Sequence, residues 1–91
     1  MIEKRRGKLE IIADILSSMQ KKEGKIKPTH LLYRSNLSHG KLKEYVNILL
    51  EKGMIEEKLV KGRKMYFMKD QGYKFLLEFE RIKEFSDSFG L

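Results

Sequence analysis

Four polar residues within nine positions have side chains that could make specific hydrogen bonds to a planar partner: His39, Lys41, Lys43 and Asn47. The amide of an asparagine matches the paired acceptor and donor on adenine, and a lysine can donate to the acceptors of guanine. These residues follow Ser38, a residue type that often caps the start of a helix. Because a recognition helix presents its N-terminal half to base edges, the four residues are candidates for DNA base readout.

Catalytic chemistry has little support in the sequence. There are two histidines, His30 and His39, no cysteine and no glycine-rich phosphate loop. No candidate nucleophile comes with an orienting base, and two histidines nine residues apart without thiols do not make a convincing metal site. The sequence therefore predicts a protein that is not an enzyme and has no cofactor or metal.

The elements that would position the four residues lie between Pro28 and Gly53. Proline suits the first turn of a helix, so we predict a short helix over Thr29–Ser35. A turn over Asn36–Ser38 follows, and a second helix runs over about residues 38–52 before Gly53 ends it. This order is the helix-turn-helix pattern, although two packed helices of any small bundle would give the same signals.

The second helix is amphipathic, because its apolar residues recur at helical spacing. The stripe consists of Leu42, Val46, Leu49 and Leu50. Glu44 and Glu51 lie opposite the stripe with Asn47, on a side that would face DNA. Either Glu44 accepts from a cytosine amino group, or both glutamates lie at the margin and pair with lysines one turn away.

A basic-tipped hairpin follows Gly53. The runs MIEEKLV and MYFM are separated by KGRK, in which Gly62 supplies a permissive backbone at the tip. Lys61, Arg63 and Lys64 crowd the same tip, where neighbouring phosphates or a minor groove would lie. The alternative explanation for these charges is that charged residues at a hairpin tip prevent aggregation through exposed strand edges. Three helices followed by this hairpin, here called the wing, predict an α+β winged helix-turn-helix fold with an extra C-terminal helix.

The basic charge is unevenly distributed. The net charge is +7, but residues 1–69 carry +9 and residues 70–91 carry −2. This asymmetry indicates a face that binds a polyanion and a separate assembly element, although a lysine-rich surface also serves solubility or heat resistance. Arg5 and Arg6 could belong to a flexible arm or to a solvated helix start. The candidate contacts to the DNA backbone are Arg5, Arg6, Lys27, Thr29, Tyr33, Arg34, Lys61, Arg63 and Lys64.

Two further core elements are predicted. An opening helix has an apolar face that Ile11 and Ile15 widen, so it should be buried on more than one side. A short strand around Ile26 should pair with the later sheet and bury that side chain. The face of the opening helix consists of Leu9, Ile12, Ala13, Leu16 and Met19.

The terminal helix, from Asp70 to about Phe89, carries more apolar surface than a domain this small can cover. Its first turns can pack on the core, and the remainder suits helix-to-helix pairing in a homodimer. The alternative is that it folds back and buries everything within one chain. We predict a DNA-binding domain over residues 1–69 and a helix for packing and dimerisation over residues 70–91. The candidate dimer residues are Phe75, Phe79, Ile82, Phe85 and Phe89.

Three segments carry a resemblance to a known group: IIADIL, KPTHLLYRSNLSHGKLKEYVNILLEKGMIEE and KDQGYKFLLEF. Together they resemble small archaeal winged-helix proteins, namely ArnR-like regulators and chromatin-associated proteins that dimerise through a C-terminal antiparallel coiled coil. The resemblance implies DNA binding and an archaeal or archaeal-virus origin.

These observations predict a double-stranded DNA-binding protein, a transcriptional regulator that acts as a homodimer. The alternative functions are a protein-interaction module and an architectural chromatin protein on the same scaffold. Apolar runs are too short for a membrane span and no signal peptide is evident, so we expect no membrane association and a cytoplasmic, nucleoid-associated location.

Overall fold

The computed structural model describes residues 6–91, which form four helices and three strands. The strands form one antiparallel sheet in the order β1-β3-β2. This arrangement confirms the predicted α+β architecture with a three-helix core, a β-wing and an extra C-terminal helix. In chain order the elements are α1 (Lys8–Gln20), β1 (Lys25–Ile26), α2 (Pro28–Ser35), α3 (His39–Glu51), β2 (Ile55–Val60), β3 (Arg63–Met68) and α4 (Asp70–Ser88).

One hydrophobic core joins α1, α2, α3, the sheet and the start of α4. On α1 the buried residues are Ile12, Ala13, Ile15, Leu16 and Met19. The prediction for Leu9 was wrong, because its side chain is 56% exposed. Leu9 lies in the first turn of α1, and burial on that helix begins only at Ile12.

The predicted short strand is confirmed. Lys25 pairs with Phe67 and Ile26 with Tyr66, and the Ile26 side chain is 3% exposed. The backbone N–H of Met68 also donates to the Gly24 carbonyl at 2.8 Å. The link between α1 and α2 is therefore fixed to the sheet.

The turn between α2 and α3 is stabilised by local hydrogen bonds. Asn36 adopts a left-handed conformation, with φ of 57°. The buried Ser35 hydroxyl donates to the Leu32 carbonyl at 3.2 Å and accepts from the Leu37 N–H at 3.3 Å. Ser38 caps α3 as predicted, because its hydroxyl accepts from the Lys41 N–H at 3.2 Å. These bonds fix the direction in which α3 leaves the turn.

The wing is a regular hairpin in which six residue pairs join β2 to β3, from Ile55–Met68 to Val60–Arg63. Its tip is the two-residue turn Lys61–Gly62, with φ of 54° and 77°. Positive φ at both central residues is typical of a type I′ turn, which matches the twist of antiparallel strands. The tip is therefore a tight turn rather than a loose loop.

Helix α4 begins against the core and then leaves it. Asp70 is the first helical residue, and Lys69, at the N-cap position before it, makes no capping hydrogen bond with its side chain. Gly72 and Leu76 are buried, and Phe75 and Phe79 are half-buried with ring centroids 6.0 Å apart. The predicted dimer residues Phe75 and Phe79 thus pack against the core of their own chain.

Candidate nucleic-acid interface

A groove with a volume of about 320 Å³ lies between α2, α3 and the wing. The face of α3 that borders it alternates between core residues and exposed polar residues. Strands β2 and β3 form the opposite wall through Glu57, Lys64 and Tyr66. We call this feature the α3–wing groove. The polar residues that α3 contributes are His39, Lys43 and Asn47.

The groove brings together three of the four predicted base-reading residues. His39, Lys43 and Asn47 are exposed and line it. Lys41 is exposed but lies outside the lining, with its Nζ 3.9 Å from Oε1 of Glu44. Of the two alternatives for Glu44, this distance favours pairing with a lysine one turn away. Such an exposed pair contributes about 0–1 kcal/mol to stability, so it does not hold Lys41 away from a ligand.

The predicted backbone contacts fall into two groups around the groove. Thr29 and Lys64 line it directly, and the Lys64 Nζ lies 3.8 Å from Oε2 of Glu57. The remaining described residues are exposed on α2, on the segment before α2 or at the wing tip, and do not line the groove. The Tyr33 side chain is 87% exposed. This second group consists of Lys27, Tyr33, Arg34, Lys61 and Arg63.

Arg6 makes contacts within the protein that the sequence did not indicate. Its guanidinium pairs with Asp14 at 2.9 Å and donates to the Ser35 carbonyl at 3.2 Å. This ties the start of the chain to α1 and to the C-terminal end of α2, where a cation is favourable. To bind a phosphate as predicted, Arg6 would have to give up its bonds to Asp14 and to the Ser35 carbonyl. Arg5 lies outside the described residues.

Two groove residues with polar side chains were not predicted as site residues, Glu57 and Tyr66. Burial raises the pKa of the Tyr66 phenol, and the nearby Glu57 carboxylate raises it further. The phenol therefore stays protonated at neutral pH and can donate a hydrogen bond into the groove. The alternation along β3 could have revealed Tyr66, because residues 64, 66 and 68 share one face of the strand.

A basic cluster surrounds His30 on α2. Partial burial lowers the pKa of His30, and the charges of Lys22, Arg34 and Lys27 lower it further. The His30 imidazole is therefore neutral near pH 7, in part because its neighbours are cationic. A bound phosphate would counteract the charges of these neighbours and favour the protonated imidazole.

His30 provides a pH-dependent prediction. In the free protein we expect its imidazole to titrate below the ordinary value, and Arg34→Gln should raise the pKa because one repelling charge is removed. Addition of a DNA duplex should raise it as well if this cluster contacts the backbone. Histidine titration by NMR measures both shifts. An unchanged His30 titration in the presence of saturating duplex would exclude Lys27 and Arg34 from the contact surface.

Helix α4 presents a second surface, which is apolar. Ile82 is 67% exposed, and Phe85 and Phe89 are each 66% exposed. The last two rings pack on each other, with centroids 4.9 Å apart. Phe75, Ile82 and Phe89 are spaced by seven residues, which places them on one side of the helix.

Residues 6–91 contain neither a metal-binding cluster nor a membrane-spanning helix. In that range no three histidine or acidic side chains come close enough to share a metal ion. None of the helices described there combines the length and the apolar character needed to cross a membrane.

The fold, the groove and the chain order define the class of protein. The chain belongs to the winged helix-turn-helix family, whose sequence profile matches residues 5–87. No curated protein sequence matches it significantly.

Several solved structures share the fold at low sequence identity. The DNA-binding protein Sso10a-2 from Sulfolobus solfataricus is 24% identical over 92% of this chain and 85% of its own, with a TM-score of 0.77. F93 from STIV, a winged-helix DNA-binding protein, is 17% identical over 88% and 92%, with a TM-score of 0.72. A MarR family transcriptional regulator from Silicibacter pomeroyi is 18% identical over 85% of this chain and 53% of its own, with a TM-score of 0.73. This chain therefore spans about half of that regulator.

Proposed function

We propose that the protein binds double-stranded DNA and regulates transcription. The observation that carries this proposal is the α3–wing groove, in which the exposed polar side of α3 and the basic wing border one concave surface. Proteins with the same fold, Sso10a-2 and F93, are described as DNA-binding, which supports the assignment. We also propose that the chain is related to ArnR-like regulators or to archaeal chromatin proteins. Its proposed location is the cytoplasm, in association with the nucleoid.

In the proposed complex α3 enters the major groove. His39, Lys43 and Asn47 then face base edges, with Asn47 suited to adenine and Lys43 to guanine. Lys61, Arg63 and Lys64 contact the phosphates beside the wing. Because lysine and arginine contacts to phosphate release counterions, affinity should fall steeply with salt.

We also propose that the protein binds as a homodimer through α4. The support is the apolar surface of Ile82, Phe85 and Phe89, which the described chain leaves exposed. Two linked domains could occupy two half-sites, and the second binding event would then be intramolecular. Residues 70–91 carry a net charge of −2, so this helix is poorly suited to DNA and better suited to assembly.

The same exposed surface of α4 favours one second candidate function, a protein-interaction module on a winged-helix scaffold. In that case the heterologous partner would occupy α4 and the groove would have no ligand. Retention of purified protein on duplex DNA at moderate salt, compared with capture of a protein partner, distinguishes the two.

Two alanine variants test the assignment of roles. Arg63→Ala should weaken binding to all sequences alike and reduce the salt dependence by about one phosphate contact, because it removes one backbone cation. Asn47→Ala should weaken binding to a selected site by about 1–3 kcal/mol and change binding to random duplex little. Binding isotherms on both duplexes across a salt series measure these effects. Equal losses on selected and random DNA for both variants would remove the base-reading role of Asn47.

A further inference from the structure

Leu59 is an exposed apolar residue in a basic part of the molecule. Its side chain is 74% exposed near the end of β2, where it pairs with Lys64 across the hairpin. Lys61 and Arg63 follow within four positions. None of the functions assigned above uses this side chain.

The direction of Leu59 follows from the alternation of side chains along the strand. Residues 55, 57 and 59 share one face of β2. On that face Ile55 is buried in the core and Glu57 lines the α3–wing groove. Leu59 is the next residue outward on the same face, about 13 Å along the strand from Ile55. It therefore lies on the side of the wing from which a duplex in the groove would approach.

The wing can hold Leu59 in a defined position. The strands are paired up to Val60 and Arg63, and the two-residue turn beyond them has the φ values of a type I′ turn. An apolar side chain held between lysine and arginine residues suits a surface that is itself apolar inside and anionic at its edges. The minor groove of DNA has this character, with sugars on its walls and phosphates along its rims.

We propose that Leu59 enters the minor groove of the bound duplex and bends the DNA. Apolar side chains that wedge into a minor groove unstack a base step and kink the duplex toward the major groove. The neighbouring cations contact the flanking phosphates and hold the wing in place. This inference rests on the proposed DNA binding and adds to it a change in the shape of the DNA.

The test compares DNA bending and affinity for wild-type protein and Leu59→Ala. Fluorescence energy transfer between dyes at the two ends of a short duplex reports the bend, and titration reports the affinity. We expect wild-type protein to bend the duplex by roughly 20–90°. Leu59→Ala should lose most of the bend and roughly tenfold in affinity, because the apolar contact is removed. The salt dependence should stay unchanged, since no phosphate contact is lost.

Three control variants separate this effect from charge and from folding. Val60→Ala alters the opposite face of the same strand, where the side chain is 38% exposed, and should keep the bend. Arg63→Ala should weaken binding and reduce the salt dependence, but at saturating protein the duplex should still be bent because Leu59 is intact. Leu59→Lys should increase the salt dependence without restoring the bend. Thermal unfolding of each Leu59 variant without DNA should give the wild-type midpoint, because an exposed side chain contributes little to the core.

The outcomes distinguish this inference from the function on which it rests. If wild-type protein binds no duplex, the proposed function fails. If it binds duplex and leaves it straight, or if Leu59→Ala bends DNA as wild type does, DNA binding stands and the wedge is wrong. A change in oligomeric state of Leu59→Ala without DNA would instead assign Leu59 to a protein contact and overturn the inference.

Discussion

The double variant Phe85→Glu, Phe89→Glu is expected to be a folded monomer that binds a duplex with two half-sites roughly 10²–10⁴-fold more weakly than wild type. Both rings are 66% exposed and pack on each other rather than on the core. Two carboxylates at these positions could not be buried in an apolar seam without a large desolvation cost. The monomer would keep its affinity for a single half-site, because the α3–wing groove is unchanged.

The control for this experiment is Leu77→Glu. Leu77 is 52% exposed on α4. At 3.6 residues per turn it lies roughly 80° from Phe85 and roughly 120° from Phe89 around the helix, at the margin of their surface, so this variant should remain dimeric. Sedimentation and duplex titration of the three proteins measure the effect. A double variant that stays dimeric, or a wild-type protein that is monomeric at micromolar concentration, would contradict dimerisation through this surface.

Two helical glycines should respond to alanine with opposite signs. A Cβ at Gly72 would lie 2.5 Å from the backbone carbonyl oxygen of Met54, and that carbonyl is held by the Lys69 N–H at 2.9 Å. Gly72→Ala should therefore push α4 away from the core and lower the free energy of unfolding by about 1–3 kcal/mol. The effect is large for a domain whose total stability is of order 5–15 kcal/mol.

Gly40 provides the matched comparison, because a Cβ there would have no neighbour within 4 Å. Gly40→Ala should raise the free energy of unfolding by up to ~1 kcal/mol through helix propensity alone. Denaturant unfolding of both variants measures the two changes. If Gly72→Ala were as stable as wild type, the close packing of α4 against Met54, in the segment between α3 and β2, would be wrong. If Gly40→Ala is more stable but binds DNA more weakly, the backbone of α3 approaches the duplex at this position.

The parts of the fold that the sequence predicted are those governed by local chemistry. Ser38 caps α3 by a bond to a residue three positions later, and Gly53 and Gly62 take the positive φ values that their positions require. The amphipathic spacing of α3 correctly assigned Leu42, Val46 and Leu49 to the core. These signals lie within a few residues of one another, so the sequence contains them directly.

The parts that the sequence missed depend on contacts between distant segments. Arg6 looked like a free phosphate ligand, but it donates to the carbonyl of a residue 29 positions later. Leu9 fitted the apolar face of α1, but its side chain in the first turn is exposed because no other element covers it. Glu57 and Tyr66 form a wall of the groove, which could be predicted only if the position of the hairpin relative to α3 were known. The dimer contacts and the DNA contacts remain predictions.

The central claim is that the N-terminal half of α3 and the wing bind duplex DNA together. An NMR titration of the isotope-labelled protein with a short duplex tests this most directly, because every backbone amide reports separately. We predict that the amides of residues 38–47 and 59–64 shift together in one binding event, while those of residues 80–89 do not follow it. Shifts confined to α4, or on α3 without the wing, would contradict the account.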